Sequence, residues 1–287
     1  IGNIVNPHLI PQSAGNLVLP PFGQGLRNPR ATIFSTFGPD SSVSAQSLAG
    51  DVRLNNNPLN AAAFPDLLGG NLVGAQTTLA SGFLPSSLSL TASLGDVTIG
   101  TAQSGNLTLR PSPTGTLDVL AGDSARLDSN LALSDMDPRF VPDAANPLGT
   151  VTQNANARPT VPGLLLDSFS VLGNIHAATP VHAADRVPVR VYAKTGDVVG
   201  VNLAGQGKVL NVAKSVDIRA GRDVRNLTVF AQHNDPADIS RIEAGRDVVY
   251  DSTSDRRDRS LIRIGGAGRV EVTAGRNIDL GTSGGIQ

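Results

Sequence analysis

One pentapeptide limits what this chain can fold into. Ala-Gly-Arg-Asp/Asn-Val/Ile occurs three times, at Ala220 to Val224, Ala244 to Val248 and Ala274 to Ile278, with spacings of 24 and 30 residues. A looser relative, Gly-Asp/Asn-apolar-x-apolar, occurs at Gly15 to Leu19, Gly50 to Leu54, Gly95 to Ile99 and Gly105 to Leu109, and in shortened form at Gly196 to Gly200. Each copy reads as a corner followed by a strand. Glycine is expected to turn the corner at positive φ, where it has no Cβ to clash, and the Asp or Asn to satisfy the corner's backbone. The alternating residues that follow make a strand with one buried face. The residues before the corner alternate too: Val216, Ile218 and Ala220 against Asp217 and Arg219, and Val270, Val272 and Ala274 against Glu271 and Thr273.

A strand pair of this size cannot bury its own apolar face, but stacked units share a continuous core. The expected fold is therefore all-β, a parallel β-helix whose coils rest on one another. About ten coils at ~4.8 Å would make a rod on the order of 50 Å long. The competing arrangement is an antiparallel sandwich with repeated turns. Asn-Gly and Asp-Gly hairpin turns, which a sandwich would normally display, are absent.

Composition supports the all-β reading. Only Glu243 and Glu271 are Glu, and only Lys194, Lys208 and Lys214 are Lys, so the exposed faces of ordinary helices have almost nothing to be built from. Aromatic content is 3%, which suits a narrow core of Ala, Val, Ile, Leu and Thr. The net charge of -1 over 287 residues offers no electrostatic case for nucleic acid or for an anionic membrane surface. With no Cys, the chain has no disulfide, thiolate metal site or cysteine nucleophile, and it suits export in an unfolded state. No apolar run approaches the ~20 residues that span a bilayer, so no membrane insertion is expected. The ends carry neither a signal peptide nor a terminating feature, so the 287 residues are expected to be one β-helix segment of something longer.

Three proline-bearing stretches break the pattern: residues 20–42, 135–163 and 176–188. Prolines cannot all donate to a ladder, and these stretches are expected to be loops leaving the rod, with 135–163 the longest.

The Ala-Gly-Arg-Asp/Asn-Val/Ile copies, with Gly95-Asp96-Val97-Thr98-Ile99 and Gly105-Asn106-Leu107-Thr108-Leu109, resemble the filamentous haemagglutinin family, most strongly over residues 196–287. That resemblance implies a right-handed parallel β-helix from a large exoprotein of a Gram-negative bacterium. Such a protein is exported through an outer-membrane pore by two-partner secretion. It is secreted or held at the cell surface, and it acts in adhesion to host or neighbouring cells. The family's amino-terminal secretion-domain motifs and a carboxy-terminal toxin have no counterpart here, which places the chain in the rod or its flank.

Few residues suggest chemistry. Gly281-Thr282-Ser283-Gly284-Gly285 matches a nucleophile-elbow string but has no Asp or His after it, and reads as a Gly-rich corner. Gly265 to Gly268 and Gly205-Gln206-Gly207 read as turns, not as a calcium roll or a dinucleotide fingerprint. Asp135, Asp137 and Asp143 could ligate Ca²⁺, although Asp satisfying loop backbone is the plainer reading. His176, His182 and His233 lack ligand spacing and are expected in loops or on the surface. Asn106-Leu107-Thr108 and Asn226-Leu227-Thr228 coincide with the strand unit and read as structural.

No catalytic, cofactor-binding or metal-binding residue is assigned, and no cofactor is expected. The candidates for contact are basic. Arg222, Arg246 and Arg276 are expected at equivalent corners of successive coils, forming a column open to anionic glycans. Arg256, Arg257 and Arg259 lie in the densest charge cluster. Asp223 and Asp247 are expected to offset their neighbouring arginines, leaving Arg276 to find Asp279 or solvent. The reading is a non-catalytic structural and adhesive segment that presents loops for cell or glycan contact. The alternative is a polysaccharide lyase or hydrolase built on the same rod, which would want aromatic sugar platforms. The chain has no Trp, and its tyrosines are Tyr192 and Tyr250.

Overall fold

The computed structural model describes residues 4–6, 37–54, 83–100, 107–135, 137–138, 178–200, 202–203, 206–251 and 261–287. Among them are three parallel sheets and no α-helix. The first sheet stacks β2 (Ser42–Ser47), β5 (Ser87–Ala92), β8 (Leu117–Ala121), β11 (Val189–Ala193), β16 (Val216–Ala220), β19 (Ile239–Ala244) and β22 (Arg269–Ala274), in that order. The second stacks β1 (Ile4–Asn6), β3 (Val52–Leu54), β6 (Val97–Ile99), β9 (Ala125–Leu127), β12 (Val198–Gly200), β17 (Val224–Arg225), β20 (Asp247–Val249) and β23 (Asn277–Asp279). The third stacks β4 (Phe83–Leu84), β7 (Leu107–Leu109), β10 (Leu131–Leu133), β15 (Val209–Val212), β18 (Thr228–His233) and β21 (Ile262–Gly266).

Each coil runs through the third sheet, then the first, turns a corner, and crosses the second. Every rung in the three sheets pairs in parallel with the next, which is the parallel β-helix and excludes the antiparallel sandwich. The one antiparallel pair among the described residues is the small hairpin of β13 (Asn202–Leu203) and β14 (Gln206–Gly207). Gln206 and Gly207 of the Gly205-Gln206-Gly207 string lie in that hairpin.

Among the described residues the first, second and third sheets hold seven, eight and six rungs. The 135–163 loop falls almost entirely outside the described residues. Residues 178–188 are irregular as expected, but they do not leave the rod: His182 is fully buried against it.

Like residues stack on like. Ala92, Ala121, Ala193, Ala220, Ala244 and Ala274 form one column, continued at the first rung by Ser47. Leu88, Leu117, Val189 and Val216 are all 0% exposed within the same sheet. Val97, Val198 and Val248 do the same for the second. Rings are scarce in this core, as expected, but Tyr250 is in it, with its hydroxyl donating to the Leu227 carbonyl. In the last coil, inward-set Val270, Val272 and Ala274 are only half buried, since no described rung covers them.

Candidate functional site

The corner between the first and second sheets is where the repeat places its chemistry. Two corner lengths share it. Ser47 to Val52, Ala92 to Val97 and Ala193 to Val198 take four residues between the stacked positions. Ala121 to Ala125, Ala220 to Val224, Ala244 to Val248 and Ala274 to Ile278 take three. Both end on a short polar side chain, and these side chains form a ladder. Asp51 Oδ1 accepts the Asp96 amide at 3.0 Å, Asp96 Oδ1 the Ser124 amide at 2.9 Å, and Ser124 Oγ the Asp197 amide at 3.2 Å. Asp197 Oδ1 then accepts the Asp223 amide at 3.1 Å, Asp223 Oδ1 that of Asp247 at 3.2 Å, and Asp247 Oδ1 that of Asn277 at 3.1 Å. Turning the corner swings these amides away from any main-chain acceptor, so a carboxylate on the previous coil takes that place. The Asp therefore serves the next coil's backbone, not its own as expected.

The glycines also act differently from expectation. Gly95, Gly196, Gly221, Gly245 and Gly275 are not left-handed. They are required by contact: a Cβ on Gly245 would lie 2.2 Å from the Gly221 carbonyl oxygen, and one on Gly275 2.2 Å from that of Gly245. Left-handed residues sit at the next corner instead, where Gly100 (φ 85) follows β6 and Asn226 (φ 52) follows β17. Asn226 continues a ladder of its own, exchanging hydrogen bonds with the side chain and amide of Asp251 at 2.8 Å each. This supports the structural reading of Asn226-Leu227-Thr228.

Arg222, Arg246 and Arg276 stand in register, with the Arg246 amide on the Arg222 carbonyl at 2.8 Å and the Arg276 amide on that of Arg246 at 2.7 Å. The column forms as expected, but its ion pairs run between coils and not to the neighbouring residue. Each guanidinium reaches back one coil. Arg222 grips Asp197 through two hydrogen bonds of 3.1 and 3.2 Å, Arg246 grips Asp223 at 3.1 and 2.7 Å, and Arg276 pairs with Asp247. Asn277 thus leaves Arg276 no shortage of a partner, and neither Asp279 nor solvent is needed. Burial alone would raise the Asp223 carboxyl. The Arg246 hydrogen bonds and the Asp247 amide outweigh it and hold the group below its ordinary value. Arg256, Arg257 and Arg259 lie outside the described residues.

The outer face of the first sheet carries a second ladder that pattern reading missed. Asp118, Arg190, Asp217, Arg241 and Glu271 occupy one column, alternating in sign at every rung. Arg190 Nε meets Asp118 at 2.6 Å, and Arg241 Nε meets Glu271 at 3.1 Å. Asp217 accepts from Arg219 Nε at 2.9 Å, Arg219 Nη2 at 3.0 Å and the Tyr192 hydroxyl at 2.6 Å. Arg219 also covers the Tyr192 ring, 5.4 Å from its centre. Burial and the Asp217 carboxylate push the Tyr192 hydroxyl up to about 12. Asp217 is lowered, because three donors outweigh its desolvation. Its partners are 25 and 2 residues away, and Arg190's is 72 away, so only alignment of the strands on their shared Ala column could have found the network.

The third feature is the segment before β11. His182 and His233, expected in loops or on the surface, are 0% and 2% exposed, and of the two only His182 lies in a turn. His233 ends β18, with Nε2 2.7 Å from Ser240 Oγ, and His182 Nδ1 lies 3.4 Å from Asp185 Oδ2. The same carboxylate oxygen is 2.6 Å from the ammonium of Lys214, a fully buried lysine that also donates to the Gly115 carbonyl at 2.9 Å. Turns between strands fold back onto neighbouring coils, and so bury polar residues that a linear pattern assigns to loops.

Among the described residues, no three His, Asp or Glu side chains converge to hold a metal ion. Asp137 is buried, and Asp143 lies outside those residues. Gly281 to Gly285 form a turn after β23, with the Ser283 hydroxyl accepting the Gly285 amide at 3.3 Å. Compared with known proteins, the chain matches no family model, no curated protein and no solved structure.

Proposed function

We propose that the chain is a non-catalytic structural and adhesive segment of a large exoprotein, secreted or held at the surface of a Gram-negative bacterium. It is exported through an outer-membrane pore and makes contact with host or neighbouring cells. The observation that carries this reading is the saturation of its charges. At the corner, three guanidiniums face three carboxylates, and on the first sheet Asp217 is committed to three donors. Such side chains hold coils in register and are poorly placed to move protons in a reaction.

The same saturation argues that the Arg222, Arg246 and Arg276 column is a zipper between coils more than a strip for anionic glycans. Heparin retention of the purified protein, with and without all three changed to Gln, tests this. Equal retention at equal salt is the expected result. A marked loss, with a shallower salt dependence, would restore the glycan strip. Binding of labelled protein to cultured epithelial and bacterial cells tests the adhesive role, and absence of saturable binding to both would remove it.

A polysaccharide-processing enzyme is the second reading, favoured by one observation: Tyr192, Asp217 and Arg190 lie together on an outer sheet face. It requires turnover of an acidic polysaccharide that is lost on Asp217→Asn. Turnover lost instead on changing Asp135 or Asp137 would place the chemistry at the edge of the long loop.

A further inference from the structure

We propose that residues 178–188 form an acid-released clasp, held on the rod at neutral pH through His182 and Asp185 against Lys214, and freed when His182 takes a proton.

The clasp is a built contact between distant parts of the chain. Its turn is closed by the Ala183 amide on the Pro180 carbonyl and the Asp185 amide on the His182 carbonyl, at 3.1 and 3.0 Å. Asp185 Oδ1 accepts the Val187 amide at 2.9 Å, which orients the carboxylate inward. From there its other oxygen reaches Lys214, in the turn between β15 and β16, and Lys214 reaches Gly115, in the turn before β8. Arg186 spans outward to Asp235 at 2.7 Å and Asp238 at 3.5 Å, in the turn before β19. One eleven-residue stretch therefore ties together turns belonging to three other coils.

His182 is the weak point of this contact. It is completely buried, and its neighbours are one carboxylate, Asp185 on its own segment, and one ammonium, Lys214 from the rod. Asp118 and Arg190, paired with each other on the first sheet, act on Lys214 with opposite signs. The Asp185 carboxylate already serves Lys214, so an imidazolium here would be a second buried cation for one anion. Burial first, and then the Lys214 charge, lower the His182 imidazole to about 4. Once the segment is released, the imidazole returns to its ordinary value near 6.5. Acid therefore favours the open clasp across the interval between those values. From pH 7.5 to 4.5 the opening equilibrium rises roughly 50- to 100-fold. Asp185, itself held low by Lys214, stays ionised over most of that interval and adds to release only below it.

The test is amide hydrogen exchange on the intact chain at pH 7.5 and 4.5, corrected for intrinsic rates, comparing peptides over 178–188 with peptides over β16 and β17. The expected result is a roughly 50- to 100-fold excess at pH 4.5 in 178–188 through a local opening that low urea does not promote, whereas β16 and β17 exchange by unfolding, which urea does promote. His182→Gln should abolish that excess. Lys214→Met removes the competing cation and should shrink it. The imidazole C2–H resonance of His182 in the wild-type protein provides a reading that needs no variant, and it should titrate near 4. Exchange in 178–188 as slow and as urea-sensitive as in β16 and β17, an unchanged pH response in His182→Gln, or a His182 titration near 6.5 would each overturn the clasp.

Discussion

At the scale of single residues, the corner aspartates do two things at once. Asp223 accepts the Asp247 amide and pairs with Arg246, while its own residue is 4% exposed. Asp223→Asn keeps an acceptor and loses only an ion pair whose arginine is largely in water, so it should cost under about 1 kcal/mol. Asp223→Ala strands a half-buried amide and should cost about 1–3 kcal/mol. Urea unfolding of the two variants checks the order, and equal losses would mean the ladder contributes nothing. Gly245→Ala is a sharper case. The added methyl would meet the Gly221 carbonyl at 2.2 Å, beside the rung between coils where the Gly245 amide reaches the Ala220 carbonyl at 2.9 Å. A loss of roughly 1–3 kcal/mol is expected from the forced shift of backbone, measurable as a lower urea midpoint. A neutral Gly245→Ala would show that a corner can open without cost.

At the scale of elements, a strand's value depends on having a rung on each side. Ile218 in β16 is 0% exposed between β11 and β19, whereas Ile278 in β23 is 48% exposed with no described rung beyond it. Ile218→Ala should therefore cost about 2–5 kcal/mol and Ile278→Ala less than about 1 kcal/mol, although both occupy the inward place of the repeat. Similar costs for the two would mean that β23 is covered in solution. The Asp118, Arg190, Asp217 and Arg241 column explains why neighbouring strands tolerate charge on their outer face. In this column like charges never meet across a rung, so each strand's sign complements the one before it.

At the scale of the whole molecule, buried histidines and paired carboxylates make stability depend on pH on the acid side. His182 is lowered to about 4 against an ordinary 6.5, so the unfolded chain binds a proton that the folded chain refuses. Its contribution is full above about pH 6.5 and is lost as pH falls toward 4, amounting to about 2 kcal/mol between pH 7 and 5. His233, lowered by burial, acts in the same direction. Asp223 and Asp217 are held below their ordinary 3.8, so their contribution is full above that value and disappears as pH falls through their folded values. Urea midpoints should therefore decline in two stages, first between pH 6.5 and 4 and again below 4. A His182→Gln protein should lose most of the first stage and keep the second. A midpoint that stays level from pH 7 to 4.5 would contradict the buried, neutral imidazoles.

The repeat alone determined the parallel β-helix. Apolar alternation with period two, small residues before each corner and the scarcity of Glu and Lys are local properties, and stacking is the one arrangement that buries every unit's apolar face. The register of Arg222, Arg246 and Arg276 was legible for the same reason, since equivalent places in a repeat must coincide. Who pairs with whom was not. An Asp beside an Arg in sequence points along the coil, but the shortest path between charges in a stacked rod runs across coils. Arg246 therefore meets Asp223, 23 residues earlier, and not Asp247 beside it. The corner glycines illustrate the same division. Their presence was written in the chain, while their cause, the carbonyl of the coil below, exists only after stacking. The burial of His182, Lys214 and His233 belongs wholly to the tertiary structure, because a turn's exposure is decided by which neighbouring coil it folds against.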